Sequence, residues 1–178
     1  MASPIARPWE VVLERSRHPI VERVALGLAL SALFGAACAA RHGLVAMLVH
    51  AVGVPLGFAA AAGLATPALC IGVAHFDLPL DAGGVGLTVS RAIAVAGRVM
   101  AGTAPAVLLL TVSVESHESA SAVAAAGLAL GGALGLREVV RGFGAGQRLL
   151  LFAFVPFVVA ITARVWWMTL PILGRGAP

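Results

Sequence analysis

Four residues in this chain have side chains that could do acid, base or ligand chemistry: His50 alone, and His75, Asp77 and Asp81 as a cluster. His50 stands in a wholly apolar stretch, where an ionisable side chain is a functional candidate by default. Its possible roles are haem ligand, proton relay and polar contact between helices. A second histidine at matching depth is needed to clamp a haem, and His75 is 25 residues on, ~37 Å along a helix. The polar-contact reading is therefore favoured over haem. His75, Asp77 and Asp81 cluster, yet their spacing fits no defined metal-ligand motif.

Other arrangements carry less. Ser113, Ser116 and Ser119 flank His117 with Glu115 and Glu118, but adjacent residues in one turn cannot form a hydrolase triad. Gly142, Gly144 and Gly146 resemble a phosphate loop without its preceding strand or its Gly-Lys-Ser/Thr ending. Cys38 and Cys70 have no paired spacing and read as small buried hydrophobes. The expectation is no catalytic residue, no metal site, no cofactor and no enzyme activity.

The elements that position these residues are membrane helices. Sixty per cent of the residues are hydrophobic and 11% are charged, and mean hydropathy is +1.00. These values belong to an integral membrane protein. Leu44 to Phe76 contains no Asp, Glu, Lys or Arg. As one helix it would exceed a ~30 Å hydrocarbon core, yet two crossings need ~34 to 40 residues plus a turn. It reads as one span with an over-long end broken at Pro55 and Pro67.

The predicted fold is all-α: a polytopic transmembrane helix bundle of about five spans, with an N-terminal interfacial amphipathic helix. Residues 1–23 form the interfacial segment, where Pro8 opens a short helix and Trp9, Val12 and Leu13 share a face. Residues 24–174 form one transmembrane domain, with spans near 24–40, 44–72, 92–114, 119–136 and 149–170. Pro19 starts the first span, and Arg41-His42-Gly43 is the turn after it. Residues 137–148 make a basic, glycine-rich loop. Arg164 and the pair Trp166–Trp167 seat the far end of the fifth span at a headgroup belt.

All twelve basic residues are arginine. Arg7, Arg15, Arg17, Arg23, Arg91, Arg98, Arg137, Arg141 and Arg148 fall on one side of a five-span layout, against Arg41, Arg164 and Arg175 on the other. The positive-inside bias puts the N-terminus in the cytoplasm and the C-terminus outside, in a bacterial inner membrane. Arg15, Arg17, Arg137, Arg141 and Arg148 are then expected to bind anionic lipid on the cytoplasmic face. Nucleic acid is not an expected partner, since the basic charge sits at span ends.

Helix packing is written in small residues. Gly127, Gly131 and Gly135 recur every four positions, as do Gly27, Ser31 and Gly35, and each set lines one helix face. The two faces are expected either to pack on each other or to receive a second subunit. Function is accordingly expected to lie in assembly, as a subunit, anchor or assembly factor, or as a homo-oligomer. The alternative is a passive channel or transporter through proline-broken helices. The layout, with a polar cytoplasmic N-terminus, five compact spans and an outside C-terminus, resembles the Yip family. That resemblance implies a membrane-organising role, although the chain has no Tyr and lacks the family's Asp-Leu-Tyr-Gly-Pro-like motif.

Overall fold

A charge-free chain in hydrocarbon must satisfy its own backbone N–H and C=O groups, and a helix does so within one segment. The computed structural model describes residues 8–76, 81–114, 116–143 and 148–169, with side chains omitted for 8–18, 117, 148–153 and 169. The helices are α1 (Pro8–Cys38), α2 (Leu44–His75), α3 (Ala82–Ser113), α4 (His117–Gly142) and α5 (Arg148–Thr169), with a 3-10 turn at Ala40–His42. No strand occurs among the described residues. Four helices are long and apolar enough to cross a membrane, over Pro19–Cys38, Leu44–His75, Ala82–Ser113 and Glu118–Gly142. The apolar part of α5, Phe154–Met168, is shorter. The protein is an all-α integral membrane helix bundle.

Local chemistry sets the ends. Gly43 turns the chain between α1 and α2 at φ +88°, a backbone region that glycine enters without steric cost. Asp81 caps α3, its Oδ1 accepting from the Gly84 N–H at 2.8 Å. Ser116 caps α4, its hydroxyl accepting from the Ser119 N–H at 3.2 Å. Each cap satisfies a donor that the first helical turn leaves free.

Four features differ from the expectation. Pro8–His18 is not a separate helix; it continues through Pro19 into α1. Pro55 and Pro67 do not break α2, which is one helix of 32 residues. Each proline removes a single backbone bond, a loss that transmembrane helices absorb through packing and nearby hydroxyls. Finally, α3 begins at Ala82 rather than near residue 92, and α4 runs on through Arg137–Gly142. There Glu138 and Arg141 pair one turn apart at 3.0 Å, so the charges continue the helix instead of ending it.

The helices alternate in direction, and glycines mark most of the close crossings. A Cβ on Gly97 would overlap the Gly27 backbone, and one on Gly27 would stand 2.5 Å from Ile93 O. These contacts join α1 and α3 as parallel neighbours. The Thr111 hydroxyl, 2.8 Å from Val107 O of its own helix, also reaches Ala37 O of α1 at 3.2 Å, and the Arg41 guanidinium donates to Val114 O at 2.7 Å. Gly35 lies on the His50 carbonyl, pairing α1 with α2 in antiparallel fashion. Gly131 faces Met100, and Gly135 faces Ala92 and Ala96, which seats α4 against α3. The α5 helix packs along α2 and stands off from α3 and α4.

Two buried clusters result. The first joins Phe34, Val54, Met100, Leu128 and Trp166 at mid-bundle. The second, toward the loop end, joins Leu69, Val85, Val139, Phe143 and Phe154. Trp166 therefore does not sit in a headgroup belt. It is 7% exposed, and its ring abuts Gly57, 13 residues and ~20 Å from the start of α2. Only Trp167 of the pair is exposed, at 58%.

Candidate functional site

The four polar candidates do not converge. His50 is 4% exposed, and its Nδ1 lies 2.9 Å from Ala46 O. A carbonyl only accepts, so Nδ1 carries the proton and donates. Nε2 is buried without a hydrogen-bond partner. His75 is exposed at the opposite end of α2, its ring edge-on to Phe76 at 5.2 Å. Asp81 is committed to its capping bond. Asp77 lies outside the described residues. Among the described residues no three His, Cys, Asp or Glu side chains come together as a metal site.

The small-residue faces have definite neighbours. Gly27 meets Ile93 of α3, and Gly35 meets His50 of α2. Ser31, fully buried, donates to Leu28 O at 2.8 Å within its own helix. Gly127 lies against the Phe34 ring of α1, whereas Gly131 and Gly135 lie against α3. Each face is divided between neighbours inside the chain: the α1 face between α2 and α3, and the α4 face between α3 and the Phe34 ring of α1.

Of the arginines proposed for lipid, Arg137 and Arg141 are exposed on α4. The backbones of Arg15, Arg17 and Arg148 are helical, while their side chains lie outside the described residues.

Two features escaped the sequence reading. One is the seat of Trp166 on Gly57, closed by an edge-on contact to Phe58 at 5.2 Å and 83°. Its signal was present: Gly53, Gly57, Ala61 and Ala65 recur every four residues on α2, and all are buried. The other is a cavity of about 100 Å³ between α2, α3, α4 and α5, lined by apolar side chains and Thr162. No sequence signal marks it, because it arises where α5 fails to close on α4.

The residues that could carry chemistry are thus separated. What the fold does assemble is apolar: a tightly crossed four-helix unit, a fifth helix seated through Trp166 and Phe154, and a crevice between them. Compared with family models, with curated proteins and with solved structures, the chain matches none.

Proposed function

We propose that this chain is a non-enzymatic subunit, anchor or assembly factor of a bacterial inner-membrane complex, with its N-terminus cytoplasmic and its C-terminus outside. The observation that supports this reading is the outer face of α2, whose apolar surface outlasts the bilayer. Val45 near one end is 77% exposed and Ile71 near the other is 70% exposed. They are 26 residues apart, ~39 Å along the helix against a ~30 Å hydrocarbon core. An average tilt of ~20° shortens that only to ~37 Å.

The register with α1 locates the excess. Gly35 faces His50, so Arg23, twelve residues before Gly35, stands level with Ala62, twelve residues after His50. Ile71 lies nine residues further, ~13 Å past the charged mouth of α1. Leu64, at 57% exposure, and Phe76, at 46%, share this overhang. Lipid tails end at the charged level, and protein is the cover that suits the remainder.

Ile71→Glu is the test. We expect it to remove co-purifying membrane chains while membrane insertion and the detergent melting profile are kept, since Ile71 is 70% exposed. A photo-crosslinker at position 71 should capture protein, and one at Val52 should capture lipid. If the mutant retains its partners and both positions capture only lipid, the reading fails. For orientation, neutralising Arg137, Arg141 and Arg148 together is expected to loosen the placement of α5, because the local charge bias is lost. Cysteine accessibility near the C-terminus measures this; accessibility equal to wild type counts against it.

The channel alternative drew on broken helices. Pro55 and Pro67 lie inside a continuous helix, so no break presents carbonyls to a path. No observation favours it over assembly.

A further inference from the structure

The outward face of α3 carries a charge that nothing in the chain answers. Gly97 packs on α1 and Ala96 on α4, so these two bracket the side of α3 that faces the core. Arg91, Arg98, Gly102 and Leu109 follow one another at seven- and four-residue spacing on the opposite side, and all four are exposed. Neither arginine has a hydrogen-bond or ion-pair partner among the described residues.

The two arginines stand at different depths. Ile20 of α1 lies against Gly86, and Gly27 against Ile93 and Gly97, which puts Arg23 level with Arg91. Gly135 of α4 faces Ala92 and Ala96, and Gly142 faces Thr88, which puts Glu138 at that level too. Arg23, Arg91 and Glu138 thus mark one charged belt, where arginine reaches headgroups. Arg98 is seven residues past Arg91, ~10 Å deeper. It is sixteen residues from Ala82 and fifteen from Ser113, the two ends of α3. Gly27, beside Gly97, is eight residues from the start of the Pro19–Cys38 span and eleven from its end. Arg98 is therefore a cation at hydrocarbon depth that faces out of the bundle.

A charged side chain at that depth is costly in lipid and is met paired. Rising to the belt gives Arg98 no vacant place, because Arg91 holds the same stripe there and like charges repel. Gly102, one turn deeper on the stripe, is a second and independent observation. A Cβ there would meet nothing within 4 Å, so this glycine serves no crossing inside the chain. A glycine on a membrane helix lets the backbone of another helix come close. A helix crossing at Gly102 sets its own side chains beside Arg98, and a carboxylate is the group that answers a guanidinium.

A second copy does not supply that carboxylate. None of the chain's eight Asp and Glu residues lies between Val24 and Phe76, between Ala82 and Val114, between Ser119 and Arg137, or between Val139 and Pro178. A parallel copy would bring no acid to the level of Arg98. We propose that α3 docks, across Gly102, a membrane helix of a different chain that carries an Asp or Glu onto Arg98. This inference rests on the assembly reading but uses the outer face of α3, not the α2 overhang.

The experiment places a photo-crosslinker at Leu109, 68% exposed on the same stripe, in the full chain in its native membrane. Mass spectrometry then identifies the captured segment. It is expected to be an apolar helix of another chain that contains an Asp or Glu. Arg98→Leu should lower its capture about ten-fold, with the melting profile kept because the side chain lies opposite the core. Arg98→Lys should keep most of the capture, and Arg91→Leu, at the belt, should leave it unchanged. Gly102→Leu should lower it by holding the helices apart. Exchanging the charges, with Arg98→Asp here and Arg for the captured carboxylate, should recover it. Capture of lipid alone, of a second copy, or of a helix without a carboxylate would overturn the proposal. So would capture unaltered in Arg98→Leu or in Gly102→Leu. Lipid alone at Leu109 with partners lost in Ile71→Glu would sink this inference and leave the overhang standing; the reverse pair of results would do the opposite.

Discussion

Gly97→Leu is expected to dismantle the bundle, whereas Gly102→Leu, five residues along the same helix, should leave it intact. At Gly97 the first side-chain carbon would overlap the backbone of Gly27. Backbone cannot rotate aside as a side chain can, so α1 and α3 would have to separate along their whole seam. That seam also carries the Thr111 bond to Ala37 O and the Arg41 bond to Val114 O. The destabilisation is expected on the order of 3 kcal/mol, the upper part of the range for overpacked cores. Gly102 has no neighbouring atom within 4 Å, so it controls for the loss of glycine itself. Reversible unfolding in mixed micelles measures both. A Gly97→Leu protein that unfolds at the same denaturant fraction as Gly102→Leu would contradict the close crossing.

The second large effect is expected at Trp166, and it should be local. Trp166→Ala removes a large ring from the mid-bundle cluster, a class of change that costs ~3–5 kcal/mol. Because α5 packs chiefly along α2, the loss should release α5 while α1 to α4 remain assembled. A cysteine at Val158, half-buried in wild type, should become readily labelled in Trp166→Ala, with the melting of the remaining helices little altered. Trp166→Phe should label slowly. Its indole Nε1 is buried without a hydrogen-bond partner, so phenylalanine forfeits no bond and keeps an edge-on contact with Phe58. Equal labelling of wild type and Trp166→Ala would show that α5 is held by something else.

The fold class was legible because hydrophobicity and helix length are direct consequences of the bilayer as solvent. The charge-free run from Leu44 to Phe76 reads as one membrane span with an over-long end, and it is one helix, Leu44–His75. The expected breaks at Pro55 and Pro67 were not found, since proline acts on one backbone bond while neighbouring helices supply the compensation. The helical spacing of Thr88, Arg91 and Arg98 fits either an interfacial stretch or an inward extension of the third span over Val85–Arg98, and the extension is what is found: both arginines are exposed on one face of a helix that begins at Ala82.

The site was less legible. Spacing of four residues identifies the face of a helix but not the neighbour it meets: the faces of α1 and α4 suggested each other or a second subunit, whereas only Gly127 meets α1, and the other glycines meet α2 and α3. Gly131 faces Met100 inside the chain, so a bulky residue there would disturb α3 and α4 rather than a second subunit. Trp166 was misread because an aromatic near the end of a hydrophobic run looks the same whether it seats in headgroups or in a core. The α4–α5 crevice depends on where α5 stands in three dimensions, and no local pattern encodes that.

The parallel pairing of α1 with α3 also sets a clock. Gly27 and Gly97 are 70 residues apart in the chain, and a ribosome adds ~5–20 residues per second. The α1 face that Gly97 will cover therefore waits roughly 4–14 s for its neighbour to be made. During that interval α2 is the only helix available to it, and Gly35 provides their crossing. The first hairpin must then hold as an insertion intermediate with half of its small-residue face uncovered. Ribosomes stalled before Ala82 would display that face, and a chaperone or insertase that shields it would be released once α3 arrives.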